Sequence, residues 1–130
     1  MPKPDIKGLE KLAAHLRDVP RKQFNMDSWI VTTPCHTSGC IAGHAAMLFP
    51  HRFKRELQYS NNTTKGYYIR HIHSGYVGVA GFASAFRISI ADADDITVSD
   101  RSIGFVTPKQ AARAVTQLVN KLKCELADRK

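Results

Sequence analysis

The alternation of apolar and polar residues predicts an amphipathic helix near the start of the chain. Asp5 can cap this helix, because an aspartate side chain accepts hydrogen bonds from the first free backbone N–H groups. Apolar residues then recur three or four positions apart, and Pro20 follows as a helix-ending residue. The apolar positions are Ile6, Leu9, Leu12, Ala13 and Leu16.

A second amphipathic helix is predicted near the end of the chain, where its start signal is the clearest in the sequence. Thr107 is placed to cap the helix, Pro108 fits its first position, and Gln110 completes a capping box. Basic residues lie largely off the apolar stripe that follows. The stripe consists of Ala111, Val115, Leu118 and Leu122, widened by Ala112, Val119 and Leu126.

Between these two helices, residues 37–49 predict a helix at the buried centre of the fold. Thr37 or Ser38 can cap it, and Gly39 and Gly43 fall inside it. A glycine inside a helix costs roughly 1 kcal/mol relative to alanine, so a compensating contact is expected. We therefore expect a neighbouring element to pack almost directly on the backbone at these glycines.

Shorter patterns fill the rest of the chain. A short amphipathic helix is predicted after Pro50, and a loop at residues 60–66. Residues 67–79 allow a small β-hairpin with a turn at Ser74-Gly75. A helix is favoured from Tyr76, and the capping-box pair Ser89 and Asp92 starts another.

Taken together, these patterns predict a mostly α fold. We expect residues 1–130 to form a single compact domain of five or six short helices, with residues 1–4 and 127–130 frayed. No apolar run approaches the ~20 residues that a membrane-spanning helix needs, and no apolar leader follows Met1. The expected location is the cytoplasm, with no membrane partner, and the three cysteines do not suggest a disulfide framework.

The charge balance adds a hypothesis about the partner. The chain has 19 Lys and Arg against 11 Asp and Glu, a formal net charge of +8. Such an excess favours a polyanionic partner, although it also keeps a small protein soluble. Basic and aromatic residues alternate in "HRFKREL" and "KGYYIRHIH", as phosphate contacts and base stacking require. The predicted nucleic-acid-binding residues are Arg52, Lys54, Arg55, Lys65, Arg70, Lys121 and Lys123.

The cysteines and histidines allow two other kinds of chemistry. Cys35, Cys40, His44 and His71 are the candidate zinc ligands, but no C-x-x-C is present and the spacing fits no standard zinc finger. Cys40 could also be a reactive thiol near a helix start, with His71 or His73 as its base. No pattern identifies an orienting group, so we expect no metal, no cofactor and buried structural thiols.

The segment "FNMDSW" followed by Cys35-x-Thr37-x-x-Cys40-x-Ala-Gly43 resembles a group of uncharacterised small proteins of bacteria and phages. Those proteins carry F-x-M-x-x-W and then C-G-T-x-x-C-x-A-G-x-A. "FASAFRISIADADDI" and "TPKQAARAVTQLV" are similar to the end of the same group, so the resemblance spans residues 24–122. It implies a phage or mobile-element setting and no known activity. His36 stands in place of the group's glycine, and His44 stands where the group often has tryptophan.

We predict a non-enzymatic basic protein of phage or mobile-element type that binds nucleic acid through phosphate contacts. One alternative is an inhibitor or modulator that binds a host protein or nucleoprotein complex, for example a defence system. It predicts an exposed apolar patch near Tyr76 or Phe105. The other alternative is a Cys/His metal-binding protein or a thiol-dependent enzyme.

Overall fold

The computed structural model describes residues 3–24, 29–32, 37–61, 63–97 and 107–128. These residues form five α-helices, a short 3-10 helix and a four-stranded antiparallel sheet. The helices are α1 (Ile6–Arg17), α2 (Ile41–Leu48), α3 (Gly78–Phe86), α4 (Ile90–Thr97) and α5 (Pro108–Asp128), with the 3-10 helix at Arg21–Gln23. The strands are β1 (Ile30–Thr32), β2 (Thr37–Gly39), β3 (Phe53–Ser60) and β4 (Lys65–His71). The prediction of a mostly α fold is therefore wrong, because the protein combines α and β structure.

The largest error concerns the short helix predicted after Pro50, because residues 53–60 form β3. This strand pairs with β4 from Phe53 opposite His71 to Ser60 opposite Lys65, so three residues of the predicted loop, Ser60, Lys65 and Gly66, belong to strands. β3 is an edge strand in which only Phe53 is buried. It therefore lacks the alternation of apolar and polar residues from which a strand is predicted. The hairpin thus spans residues 53–71 and overlaps the predicted range of 67–79 only in β4, while an isolated bridge joins Arg70 to Val77 across the predicted turn.

The predicted starts of α1, α4 and α5 are confirmed. The Asp5 carboxylate accepts a hydrogen bond of 3.0 Å from the Gly8 N–H and caps α1. The side chain of Ser89 accepts one of 3.0 Å from the Asp92 N–H. Thr107 and Gln110 exchange two such bonds, of 3.1 and 3.2 Å, which is the capping box predicted for α5.

The centre of the fold is built around the close approach of β1 to α2. A Cβ atom added to Gly43 would lie 2.7 Å from the carbonyl carbon of Trp29 and overlap its oxygen, and one on Gly39 would overlap the same oxygen. The predicted packing on these glycines is confirmed. The predicted helix start is wrong, since residues 37–39 form β2 and Cys40 caps α2 with its sulfur atom.

The elements are arranged around one buried core. The strand order is β2-β1-β4-β3, and α2 and α3 pack on the sheet. α1 packs on α2 and runs along α5, which also contacts α4. Phe82 and Phe86 of α3 are the largest fully buried side chains of this core. Within the described ranges, no helix is both long and apolar enough to cross a membrane.

Candidate nucleic-acid interface

The hairpin of β3 and β4 carries four of the seven predicted phosphate-binding residues. Lys54 and Arg55 lie on β3, and Lys65 and Arg70 lie on β4. Since side chains alternate between the two faces of a strand, Lys54 and its cross-strand partner Arg70 share the outer face, away from buried Phe53. Two like charges directly opposite each other repel, so this face needs either an acidic neighbour or an anionic ligand.

Arg70 has its acidic neighbour within the hairpin. Its Nε atom donates to the carboxylate of Glu56, and a second guanidinium nitrogen donates to the Gly75 carbonyl oxygen at 2.7 Å. The hydrogen bond from Arg70 lowers the pKa of Glu56 below its usual value. Because Arg70 is held by these two partners, it is a poor candidate for contacting phosphate.

Arg52, just before β3, has a structural role. Its guanidinium lies 2.5 Å from the carboxylate of Asp5 and stacks 4.6 Å from the ring centre of Phe49 and 5.4 Å from that of Phe86. Burial raises the pKa of Asp5, but the Gly8 N–H and Arg52 outweigh this effect and hold it below its usual value. Arg52 therefore ties the start of α1 to the ends of α2 and α3.

The two predicted residues on α5 are also paired. Lys121 Nζ lies 2.6 Å from the carboxylate of Asp92, whose hydrogen bond raises the pKa of the lysine. Lys123 Nζ lies 3.1 Å from the carboxylate of Glu10 on α1, and both of these side chains are largely exposed. An exposed pair contributes little to stability, so Lys123 could exchange Glu10 for another anion at low energetic cost. Lys121 is held more firmly, because its partner Asp92 is mostly buried.

Three predicted cations remain uncommitted on the hairpin: Lys54, Arg55 and Lys65. All three are exposed, and no ion pair joins them to the described residues. The Arg55 guanidinium lies 5.1 Å from the ring centre of Tyr67. These three residues thus differ from the other four predicted cations, each of which forms an ion pair with a carboxylate: Arg52, Arg70, Lys121 and Lys123.

A depression with aromatic residues in its lining is formed by β1, β3, β4 and Trp29. It has a volume of about 190 Å³, and Trp29, Tyr59 and Tyr67 contribute to its lining. Gly66 allows Tyr59 to lie across the sheet, because a Cβ atom at Gly66 would come 2.7 Å from a ring carbon of Tyr59. Tyr59 is 46% exposed, so one ring face can receive a ligand. Sequence reasoning missed Trp29 and Tyr59, since only the pairing of β1 with β4 brings them together.

No family model, no curated protein and no solved structure matches this chain. The resemblance to small proteins of bacteria and phages therefore stays a prediction.

The sulfur of Cys40 is a structural cap. It is buried and accepts a hydrogen bond of 3.5 Å from the Gly43 N–H. Burial raises the pKa of this thiol to about 11, the opposite of what a nucleophilic cysteine needs. Its other candidate partners, Cys35 and His36, lie outside the described residues.

His44 and His71 hold internal hydrogen bonds, whereas His73, the other histidine considered as a base, is exposed. His44 is 3% exposed, and its two ring nitrogens lie 2.7 Å from the Gln23 carbonyl oxygen and 3.1 Å from His15 Nε2. His71, at the end of β4, lies 2.7 Å from the Ser74 hydroxyl oxygen. In the part of the chain that the structure describes, no three His, Cys, Asp or Glu side chains are grouped as a metal site.

Proposed function

We propose that this protein is a non-enzymatic nucleic-acid-binding protein that acts through the hairpin. Lys54, Arg55 and Lys65 contact phosphates, and bases stack on the aromatic rings beside them. The observation that carries the proposal is the presence, on one hairpin, of three cations without an ion-pair partner among the described residues and of aromatic residues that line a depression, with the Arg55 guanidinium 5.1 Å from the ring centre of Tyr67. This combination of positive charge and exposed rings is typical of surfaces that bind single strands. The setting in the cytoplasm of a phage-infected or element-bearing cell follows from the resemblance alone.

A single strand suits this surface better than a duplex. In a duplex the base faces are stacked on one another, so Tyr59 and Trp29 could not reach them. In a single strand every base offers a face, and stacking on an aromatic side chain contributes about 1–3 kcal/mol per base. The proposal therefore predicts phosphate contacts without sequence readout and a preference for unpaired nucleic acid.

The first prediction concerns the three hairpin cations. We expect the variant K54Q/R55Q/K65Q to bind a fluorescent single-stranded oligonucleotide of about twenty nucleotides more weakly than the wild-type protein. The slope of log affinity against log salt should become shallower by about 2, since each phosphate contact on a single strand contributes about 0.7. Fluorescence anisotropy between about 50 and 200 mM salt measures both quantities.

The matched control removes the same charge elsewhere. Lys3, Lys7 and Lys22 are exposed and lie outside the hairpin, so K3Q/K7Q/K22Q lowers the net charge equally. We expect this control to keep most of the wild-type affinity and slope. Equal losses in both triple variants would show a non-specific charge effect, and absence of binding by the wild-type protein at low salt would refute the proposal.

A second candidate function is binding to a host protein, as in an inhibitor of a defence complex. It is favoured by the three exposed apolar residues around the connection from β4 to α3, namely Ile72, Tyr76 and Val77. Tyr76 is 59% exposed, as the sequence predicted for this kind of partner, while Phe105 lies outside the described residues. Exposed tyrosines often anchor protein interfaces because they bury a large area at low conformational cost.

The corresponding prediction uses the variant I72S/Y76S. If this patch binds a protein, the partner recovered from host lysate by the wild-type protein should fall roughly tenfold with the variant, the loss expected for an interface anchor. Quantitative mass spectrometry of the recovered proteins measures this loss. The variant K54Q/R55Q/K65Q serves as the control and should recover the partner normally. A partner that depends on the hairpin cations instead would favour the nucleic-acid function.

A further inference from the structure

A second basic surface lies on the helices, apart from the hairpin. It is a groove of about 350 Å³ between α1 and α5, lined by Arg17, Lys109, Ala112, Arg113 and Thr116. Among the described residues, none that lines this groove is acidic. α5 packs against α1 and α4, whereas α2 and α3 pack against the sheet, so the groove and the hairpin are separate surfaces.

The three cations of the groove have no ion-pair partner within the described ranges. No ion pair joins Arg17, Lys109 or Arg113 to another described residue. Further along the same helix, by contrast, Lys121 and Lys123 each hold a carboxylate. Lysines near the C-terminal end of α5 are thus paired with carboxylates. The two groove cations near its N-terminal end, Lys109 and Arg113, have no ion-pair partner among the described residues.

The position of two of these cations is unfavourable for the helix itself. Lys109 and Arg113 lie in the first two turns of α5, at its positive end, and the first turn contains no acidic residue. They are also four positions apart on one face, where like charges repel. Arg17, in the last turn of α1, has a favourable interaction with the negative end of that helix. Lys109 and Arg113 have no such favourable interaction with α5. A bound anion would offset both the unfavourable interaction with the helix dipole and the repulsion between the two cations.

We propose that this groove is a second phosphate-binding site, which receives the backbone of a nucleic acid. The inference rests on the proposed function for its source of phosphate. Two guanidinium groups can bind phosphate oxygens in pairs, and Lys109 adds a third positive charge. Because the groove and the hairpin are separate surfaces, one protein molecule can hold two segments of a strand at the same time.

The test compares the groove variant R17Q/K109Q/R113Q with the hairpin variant K54Q/R55Q/K65Q in two assays. In the first, the salt slope for a single-stranded oligonucleotide should become shallower by about 2 in the groove variant, at about 0.7 per phosphate contact. In the second, inorganic pyrophosphate is added and the thermal unfolding midpoint is followed. Pyrophosphate should raise the midpoint of the wild-type protein and of the hairpin variant, and the groove variant should lose most of this rise.

The outcomes separate this inference from the proposed function. One outcome is that the groove variant keeps the wild-type salt slope while the slope of the hairpin variant becomes shallower. This result would overturn the groove site and leave the proposed function intact. A pyrophosphate effect that depends on the groove, without any effect on oligonucleotide binding, overturns the nucleic-acid backbone as its ligand. If the groove variant and wild-type protein gain equally from pyrophosphate, the groove binds no phosphate. The control K3Q/K7Q/K22Q should behave as the wild-type protein in both assays.

Discussion

Replacing Gly43 with alanine is expected to destabilise the fold by about 3 kcal/mol, the upper end of the usual cost of inserting a methyl group into a packed core. The added Cβ atom would overlap the Trp29 carbonyl oxygen and lie 2.7 Å from its carbon, both of which are backbone atoms. Neither can rotate away, so β1 or α2 must shift. The free energy of unfolding in urea measures the loss.

The sign of this result makes it diagnostic. Helix propensity alone would make the alanine variant more stable by about 1 kcal/mol. The substitution Ala14→Gly on the exposed side of α1 gauges that propensity in the same protein, and it should cost about 1 kcal/mol. A Gly43→Ala variant as stable as the wild-type protein would contradict the close approach of β1 to α2.

The second large effect is a loss of stability in mild acid that originates at His44. Burial lowers the pKa of His44 to about 4, from an ordinary value of 6.5. Above pH 6.5, His44 is neutral in both the folded and the unfolded chain, so its contribution is fully present. As the pH falls below 6.5, the unfolded chain takes up a proton that the folded chain excludes, and stability decreases until about pH 4. The loss attributable to His44 is roughly 3 kcal/mol over this range.

The hydrogen bonds of His44 explain why protonation is so unfavourable. The carbonyl oxygen of Gln23 can only accept, so His44 Nε2 carries the hydrogen and Nδ1 accepts from His15 Nε2. Protonating Nδ1 would place two N–H groups against each other. Burial also lowers the pKa of His15, although Asp18 raises it, so His15 adds to the same acid sensitivity.

The variant His44→Gln tests this prediction, because its amide can replace one donor and one acceptor without titrating. We expect the unfolding free energy of the wild-type protein to fall more steeply between pH 6.5 and 4 than that of the variant. The excess slope should approach about 1.4 kcal/mol per pH unit, the value for one proton. The substitution His51→Gln at an exposed position is the control and should leave the slope unchanged. Parallel profiles for the wild-type protein and His44→Gln would contradict the pKa assigned to His44.

Local signals in the sequence were sufficient for the caps of α1, α4 and α5 and for the amphipathic helices α1 and α5. A cap depends on residues three positions apart, as with Thr107 and Gln110, and a helical stripe is equally local. β3 could not be predicted in this way, because it lies at the edge of the sheet and most of its side chains face solvent. The identity of an edge strand depends on its partner, and β4 supplies the apolar positions that β3 lacks, such as buried Ile69.

The candidate site shows the same division between local and distant information. The sequence indicated basic segments with interleaved aromatic residues, but the pairing of each cation depends on the fold. Arg52 meets Asp5 from 47 positions away, and Lys123 meets Glu10 from 113 positions away. The sequence therefore could not separate these committed cations from Lys54, Arg55 and Lys65.

The edge position of β3 also affects how the protein behaves without a ligand. An eight-residue edge strand exposes backbone N–H and C=O groups that a strand from another molecule could pair with. Lysine, arginine and an irregular register between Leu57 and Tyr59 are the usual protections against such pairing. Lys54 and Arg55, which are proposed to hold phosphate, are thus also expected to keep neighbouring copies from aggregating through this edge. Removing them should make the unbound protein less soluble, which light scattering can follow beside every affinity measurement.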